Sequence, residues 1–142
     1  MRFMLIIKSD AATEAGELPP PEVFEAMGAY NEQLVRSGVL LAGEGLHPSS
    51  AGARVRLSGG APATVTPGPF PRAEDLVAGF WLIDARSVEE AVEWARRVPN
   101  PVGGELEIEV RRVFDAEDFG AAVGPGRGEA ERRPRAGSAT RA

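Results

Sequence analysis

The chain has no cysteine and a single histidine. The first absence excludes a disulfide framework, a thiolate metal site and a cysteine nucleophile, and it suits the cytoplasmic location expected here. The second absence, with carboxylates scattered singly, leaves no ligand set at metal spacing, so no metal or other cofactor is assigned. No apolar run approaches the roughly 18 residues that span a bilayer, so no membrane partner is expected. The apolar stretch behind Arg2 stops at Lys8-Ser9-Asp10 with no small-residue cleavage site, and it reads as a strand rather than a signal peptide. There is also no glycine-rich phosphate loop between a strand and a helix, which argues against a doubly wound nucleotide fold.

What is present fits one small domain of 142 residues, long enough to bury a core without staples. Its charge is uneven. From Gly120 onward five arginines face two glutamates, a net +3, which leaves −8 on residues 1 to 119 out of −5 overall. An acidic body argues against nucleic-acid binding by the folded part, because phosphate neutralisation needs clustered Lys and Arg. The tail, 120–142, is Gly-, Ala- and Arg-rich without apolar periodicity and reads as a disordered end.

The stretch Thr64 to Asp84 organises the rest. Pro67, Gly68, Pro69 and Pro71 forbid helix or ladder pairing. Gly79-Phe80-Trp81-Leu82-Ile83 then reads as a strand covered on both faces. Upstream, Arg2 to Lys8 is a central strand, followed by a loop from Ser9 to Glu17. Pro21 opens a helix whose face carries Val23, Met27, Tyr30 and Leu34, and Gly38 stops it. Val39 to Gly43 is a second strand, with Glu44 to Ser50 a loop. Ala53–Leu57 and Ala63–Val65 form a hairpin. Ser87 with Glu90 has the capping-box form, and the helix it starts buries Val88, Ala91, Val92 and Ala95. The last strand runs from Glu105 to Val113, with a helical turn at Asp115 to Phe119.

The order is βαβ, a hairpin insert, then βαβ. That predicts an α+β fold with an antiparallel sheet and both helices on one face, the ferredoxin-like plan. Phe3, Leu5 and Ile7 point to one side of the first strand, Met4 and Ile6 to the other. Phe80 and Leu82 likewise oppose Trp81 and Ile83. Two helices cover one face only, so a second copy packed sheet to sheet is expected over the other, with any ligand in the cleft made by pairing.

Met4-Leu5-Ile6-Ile7, Gly43-Glu44-Gly45-Leu46, Pro67-Gly68-Pro69-Phe70 and Gly79 to Asp84 together resemble the YCII-related superfamily. The likeness is to the branch with an Asp-Gly-Pro-Phe signature, and it covers roughly residues 1 to 114. It implies the dimeric α/β-barrel arrangement. Pro67 stands where the signature has Asp, and Glu74-Asp75 where Lys-Glu is usual, so roles attached to those two groups do not carry over. The His-Asp pair of YCII-type relatives uses a histidine in a stretch that has none here.

The residues themselves offer few candidates for chemistry. Glu44, between two glycines at a strand end, is either an acid–base group or a turn residue. His47, three residues on, is either its proton-carrying partner or an exposed loop histidine. Arg54 and Arg56 share a hairpin face as an anion clamp or as solubilising charges. Tyr30 and Trp81 line a pocket or belong to the core, and Phe70 is expected to line the same pocket. Asp84 binds a ligand or caps a turn. Two readings of function follow. One is a small-molecule-binding protein, extending to a cofactor-independent enzyme that transfers a proton on a small polar compound. The alternative, by association with the resembled family, is a non-catalytic partner of an extracytoplasmic-function sigma factor.

Overall fold

The computed structural model describes residues 1–122. It divides into two units, Met1–Arg112 and a second from Val113 onward. In the first, β1 (Arg2–Lys8) leads through a short α1 (Ala11–Glu14) to α2 (Pro21–Arg36) and β2 (Leu40–Gly45). A hairpin follows, β3 (Ala53–Arg56) and β4 (Thr64–Pro67), then β5 (Val77–Asp84), α3 (Val88–Arg96) and β6 (Ile108–Arg112). The second unit holds the 3-10 segment Ala116–Ala122, with the Phe114 and Phe119 rings 4.9 Å apart. Most of the 120–142 tail lies outside the described residues.

The main sheet has the order β2-β5-β1-β6, and every neighbouring pair is antiparallel. The protein is α+β, and the order agrees with the ferredoxin-like plan. The core explains why the helices settle on one side. Phe3, Leu5, Trp81 and Ile83, all on one face by the period-two rule, are buried with Tyr30 and Leu34 of α2 and with Ala91 and Trp94 of α3. Burying a side chain such as Phe3 or Leu5 contributes about 1.5–3 kcal/mol relative to leaving it in water. Met4, Ile6, Phe80 and Leu82 lie half-buried on the opposite face.

Local chemistry sets the ends of the helices. Pro21 takes the first position of α2, where its missing N–H is no loss. Ser87 caps α3, its Oγ accepting from Glu90 N at 3.1 Å. The reciprocal arm departs from a capping box. The Glu90 carboxylate accepts from Arg86 N at 2.6 Å, one residue before the cap. That bond, chiefly, holds the Glu90 carboxyl below the usual carboxylate range.

Five readings need correction. β4 does not stop at Val65 but runs to Pro67, which pairs with Ala53 at the end of the hairpin ladder, where a missing N–H is tolerated. Glu44 and Gly45 belong to β2 and not to a loop. Val88 is exposed and Val92 only half-buried, while Trp94, absent from the expected stripe, is buried. β6 starts at Ile108 and not at Glu105. The loop after β1 holds the short helix α1, capped by Asp10, which accepts from Thr13 N at 2.7 Å. That bond is the main reason the Asp10 carboxyl sits below its usual range.

Candidate functional site

The feature that shapes the site is a level of the sheet at which two adjacent strands, β2 and β5, carry no side chains. Gly45 pairs with Gly79, and Gly79 with Ile7, across three adjacent strands. On the helix side this leaves a hollow between the strands and the first turns of α2. Val23, Phe24 and Met27 roof it, and Ile7 and the glycine backbone floor it. The hollow opens into a wide lobe of about 670 Å³, bounded by Leu46, His47 and Pro48 after β2, by Asp10 and Thr13 at α1, and by Pro99 to Val102. A narrower lobe of about 380 Å³ runs the other way, to Asn31, Leu40, Gly43 and Trp81. The two share Ile7, Val23, Phe24, Met27 and Gly45, so they form one cleft.

Each glycine has its own reason. A Cβ on Gly79 would lie 2.9 Å from Glu44 O, and one on Gly43 would lie 2.9 Å from Trp81 Cδ1. A Cβ on Gly45 would meet nothing within 4 Å. Gly79 is therefore needed for the close approach of two backbones, Gly43 for the placing of Trp81, and Gly45 only for the open space.

The walls are mainly apolar. Leu18, Phe24, Leu46 and Val102, all large and exposed, cluster around this one opening. The charged side chains on the wide lobe are acidic, Asp10 and Glu17, and among the described residues neither Lys nor Arg borders the cleft.

The sequence-predicted residues scatter around this frame. His47 borders the wide lobe. Glu44 does not join it there. Pairing with Phe80 puts the Glu44 side chain on the face opposite Trp81 and Gly43, away from α2. No hydrogen bond or ion pair engages the side chain of either His47 or Glu44 among the described residues. Trp81 walls the narrow lobe, its Nε1 donating to Asn31 Oδ1 at 2.8 Å. Tyr30 is 3% exposed and stands edge-on to Trp81, centroids 5.1 Å apart. Its hydroxyl donates to Trp94 O at 2.8 Å, and burial pushes its pKa up to about 12. Tyr30 thus braces the wall instead of forming it.

Arg54, Arg56 and Phe70 lie on the hairpin side and do not border the cleft. The Arg54 guanidinium sits 4.0 Å above the Phe70 ring. Asp84 is at the far end of β5, paired with the N-terminal amino group at 3.1 Å.

The Pro67–Phe70 loop is reached from the cleft through two residues that sequence reasoning missed. Glu14 accepts from Ser49 N at 3.0 Å and from Ser49 Oγ, and Ser49 Oγ accepts in turn from Phe70 N at 2.9 Å. Gly68 N donates to Gly52 O at 2.9 Å. A Cβ on Gly68 would lie 1.7 Å from Ser49 O, so only glycine fits. The loop is therefore pinned onto the turn at Ser49–Ala51, directly after His47 and Pro48. Helical periodicity puts Asn31 with Glu25 and Glu32 on the side of α2 opposite its apolar face, and there it is exposed; what the sequence did not show is its bond to Trp81 at the edge of the narrow lobe.

This is a small α+β protein with an antiparallel sheet, helices on one face and a cleft beneath α2. A YCII-related domain matches residues 1–117. The chain is also similar to the uncharacterized protein R00369 of Rhizobium meliloti (strain 1021), 32% identical over 108 residues, 74% of this chain and 86% of the other. The chain belongs to the YCII-related family.

Proposed function

We propose that the protein binds a small organic molecule in the cleft between α2 and the sheet. The observation that carries this reading is the Gly45–Gly79 pair. Two adjacent strands withhold their side chains at one level, beneath an apolar roof of Val23, Phe24 and Met27. The combined space suits a ligand of drug-like size. The walls favour a less polar compound than the sequence suggested, and the acidic border disfavours an anion. Where the bound molecule is turned over, His47 is the proton carrier, because it alone among the predicted acid–base pair faces the wide lobe. Glu44 lacks that access and is not assigned a step.

The partner of the sheet's other face is a second copy, in the dimeric α/β-barrel arrangement. Supporting this, Met4, Ile6, Phe80 and Leu82 form an apolar stripe there. In this reading the ligand sits within one protomer's cleft rather than between protomers.

The sigma-factor alternative draws support from the hairpin. Val55 and Val65 are paired across it, and both are more than half exposed, a surface that fits a protein partner. Thermal unfolding with neutral bicyclic aromatic compounds separates the two readings. A rise in unfolding temperature that disappears in Gly45→Leu supports the cleft. No rise, or a rise that survives in Gly45→Leu, contradicts it.

A further inference from the structure

The narrow lobe carries one polar group whose orientation is settled by chemistry. Trp81 Nε1–H can only donate, so the oxygen of the Asn31 amide must face it. The planar amide then turns its NH2 away from the indole. Among the described residues nothing accepts from that NH2. Trp81 and the solvent-exposed Asn31 both border the lobe, beside Met27 and Leu40. The lobe is thus an apolar space with a two-proton donor on its wall.

The donor is held in place by a short relay. Tyr30 is fixed through its hydroxyl to Trp94 O and braces the Trp81 ring edge-on. Gly43 leaves room for that ring, since a Cβ there would crowd Cδ1. Trp81 in turn orients the Asn31 amide. A donor held in advance loses little freedom when a ligand arrives.

Building on the cleft reading above, we propose that Asn31 is a ligand-recognition residue. Its amide donates to an acceptor oxygen of an otherwise apolar ligand in the narrow lobe. The site then selects neutral carbonyl compounds, such as ketones and esters, over molecules of the same shape that lack the oxygen.

The test uses 2-acetylnaphthalene and 2-isopropenylnaphthalene, which differ in C=O against C=CH2. Binding of each is measured by equilibrium dialysis to the full chain, to Asn31→Asp and to Gly45→Leu. Asn31→Asp keeps an oxygen for Trp81 and removes the donor. The ketone is expected to bind the unsubstituted protein about five-fold tighter, the contribution of one hydrogen bond partly open to water. That preference disappears in Asn31→Asp. The infrared carbonyl stretch of the bound ketone, lowered by the hydrogen bond, moves back up in the same variant. Equal binding of the two compounds to the unsubstituted protein overturns the inference and leaves the cleft standing. So does a preference that persists in Asn31→Asp. If neither compound binds, or both bind Gly45→Leu as before, the cleft reading fails and takes this inference with it.

Discussion

Gly45 lies opposite Gly79 across β2 and β5, and the two glycines differ in what a side chain would meet there. A Cβ on Gly45 enters open space beneath α2, whereas one on Gly79 meets Glu44 O at 2.9 Å. Gly45→Leu should therefore fold with unchanged or slightly raised stability while filling the cleft. Gly79→Ala should lose about 1–3 kcal/mol, because the backbone of β2 must move. Urea unfolding of both variants checks the contrast.

Gly68 and Gly28 make a second pair. At Gly68 the added Cβ would fall 1.7 Å from Ser49 O, and no rotamer avoids a contact between backbone atoms and Cβ. Gly68→Ala should lose about 2 kcal/mol or more as the Pro67–Phe70 loop lifts from the Ser49–Ala51 turn. Gly28 lies inside α2 with nothing within 4 Å of its added Cβ. Gly28→Ala should gain about 0.5–1 kcal/mol from helix propensity. Thermal melts of the two variants should move in opposite directions.

Tyr30 sets a stability limit at high pH. Its folded pKa of about 12 lies above the unfolded value near 10. Below pH 10 both states hold the proton, and the contribution of the neutral buried phenol is fully present. Between about pH 10 and 12 the unfolded chain ionises while the folded one resists, so stability falls as pH rises through that window. Tyr30→Phe should lose about 1 kcal/mol at neutral pH, for the bond to Trp94 O, and should show a shallower fall above pH 10. Denaturation midpoints from pH 8 to 12 test both statements.

Leu82 tests the sheet-to-sheet dimer. It is half-buried on the face away from the helices, beside Met4 in the register. Leu82→Glu places a charge in the centre of the proposed interface, which a second copy would have to desolvate. Sedimentation should show dimers of the unsubstituted chain and monomers of the variant. A folded monomer at high concentration without the substitution contradicts the dimer.

The strand faces were readable because Phe3 to Ile7 and Phe80 to Ile83 are apolar at every position, so both sides of each strand announce themselves. Helix ends were readable from Pro21, Gly38 and Ser87, each of which acts on its own backbone. The cleft was not readable, because it depends on register. The β2–β5 pairing runs from Leu40 opposite Ile83 to Ala42 opposite Leu82, with Leu41 as the extra residue. That single irregularity reverses the faces of everything after it. Without it, Glu44 would point under α2 and both glycines away. With it, Gly43 and Gly45 open the space, and Glu44 turns to the opposite face. Trp94 is hidden for a different reason: a stripe begun at Val88 in the first turn of α3 runs through Val92 and Ala95, whereas the buried positions are Ala91 and Trp94, one turn apart.

The central claim is that a ligand lodges between α2 and the glycine level of the sheet. Amide chemical-shift mapping by nuclear magnetic resonance, with 2-acetylnaphthalene added to the full chain, tests it most directly. The account predicts that the largest shifts fall on Ile7, Gly43, Gly45, Gly79 and the indole N–H of Trp81. Shifts confined to the hairpin, or to Met4, Ile6 and Leu82 on the other face, would contradict it.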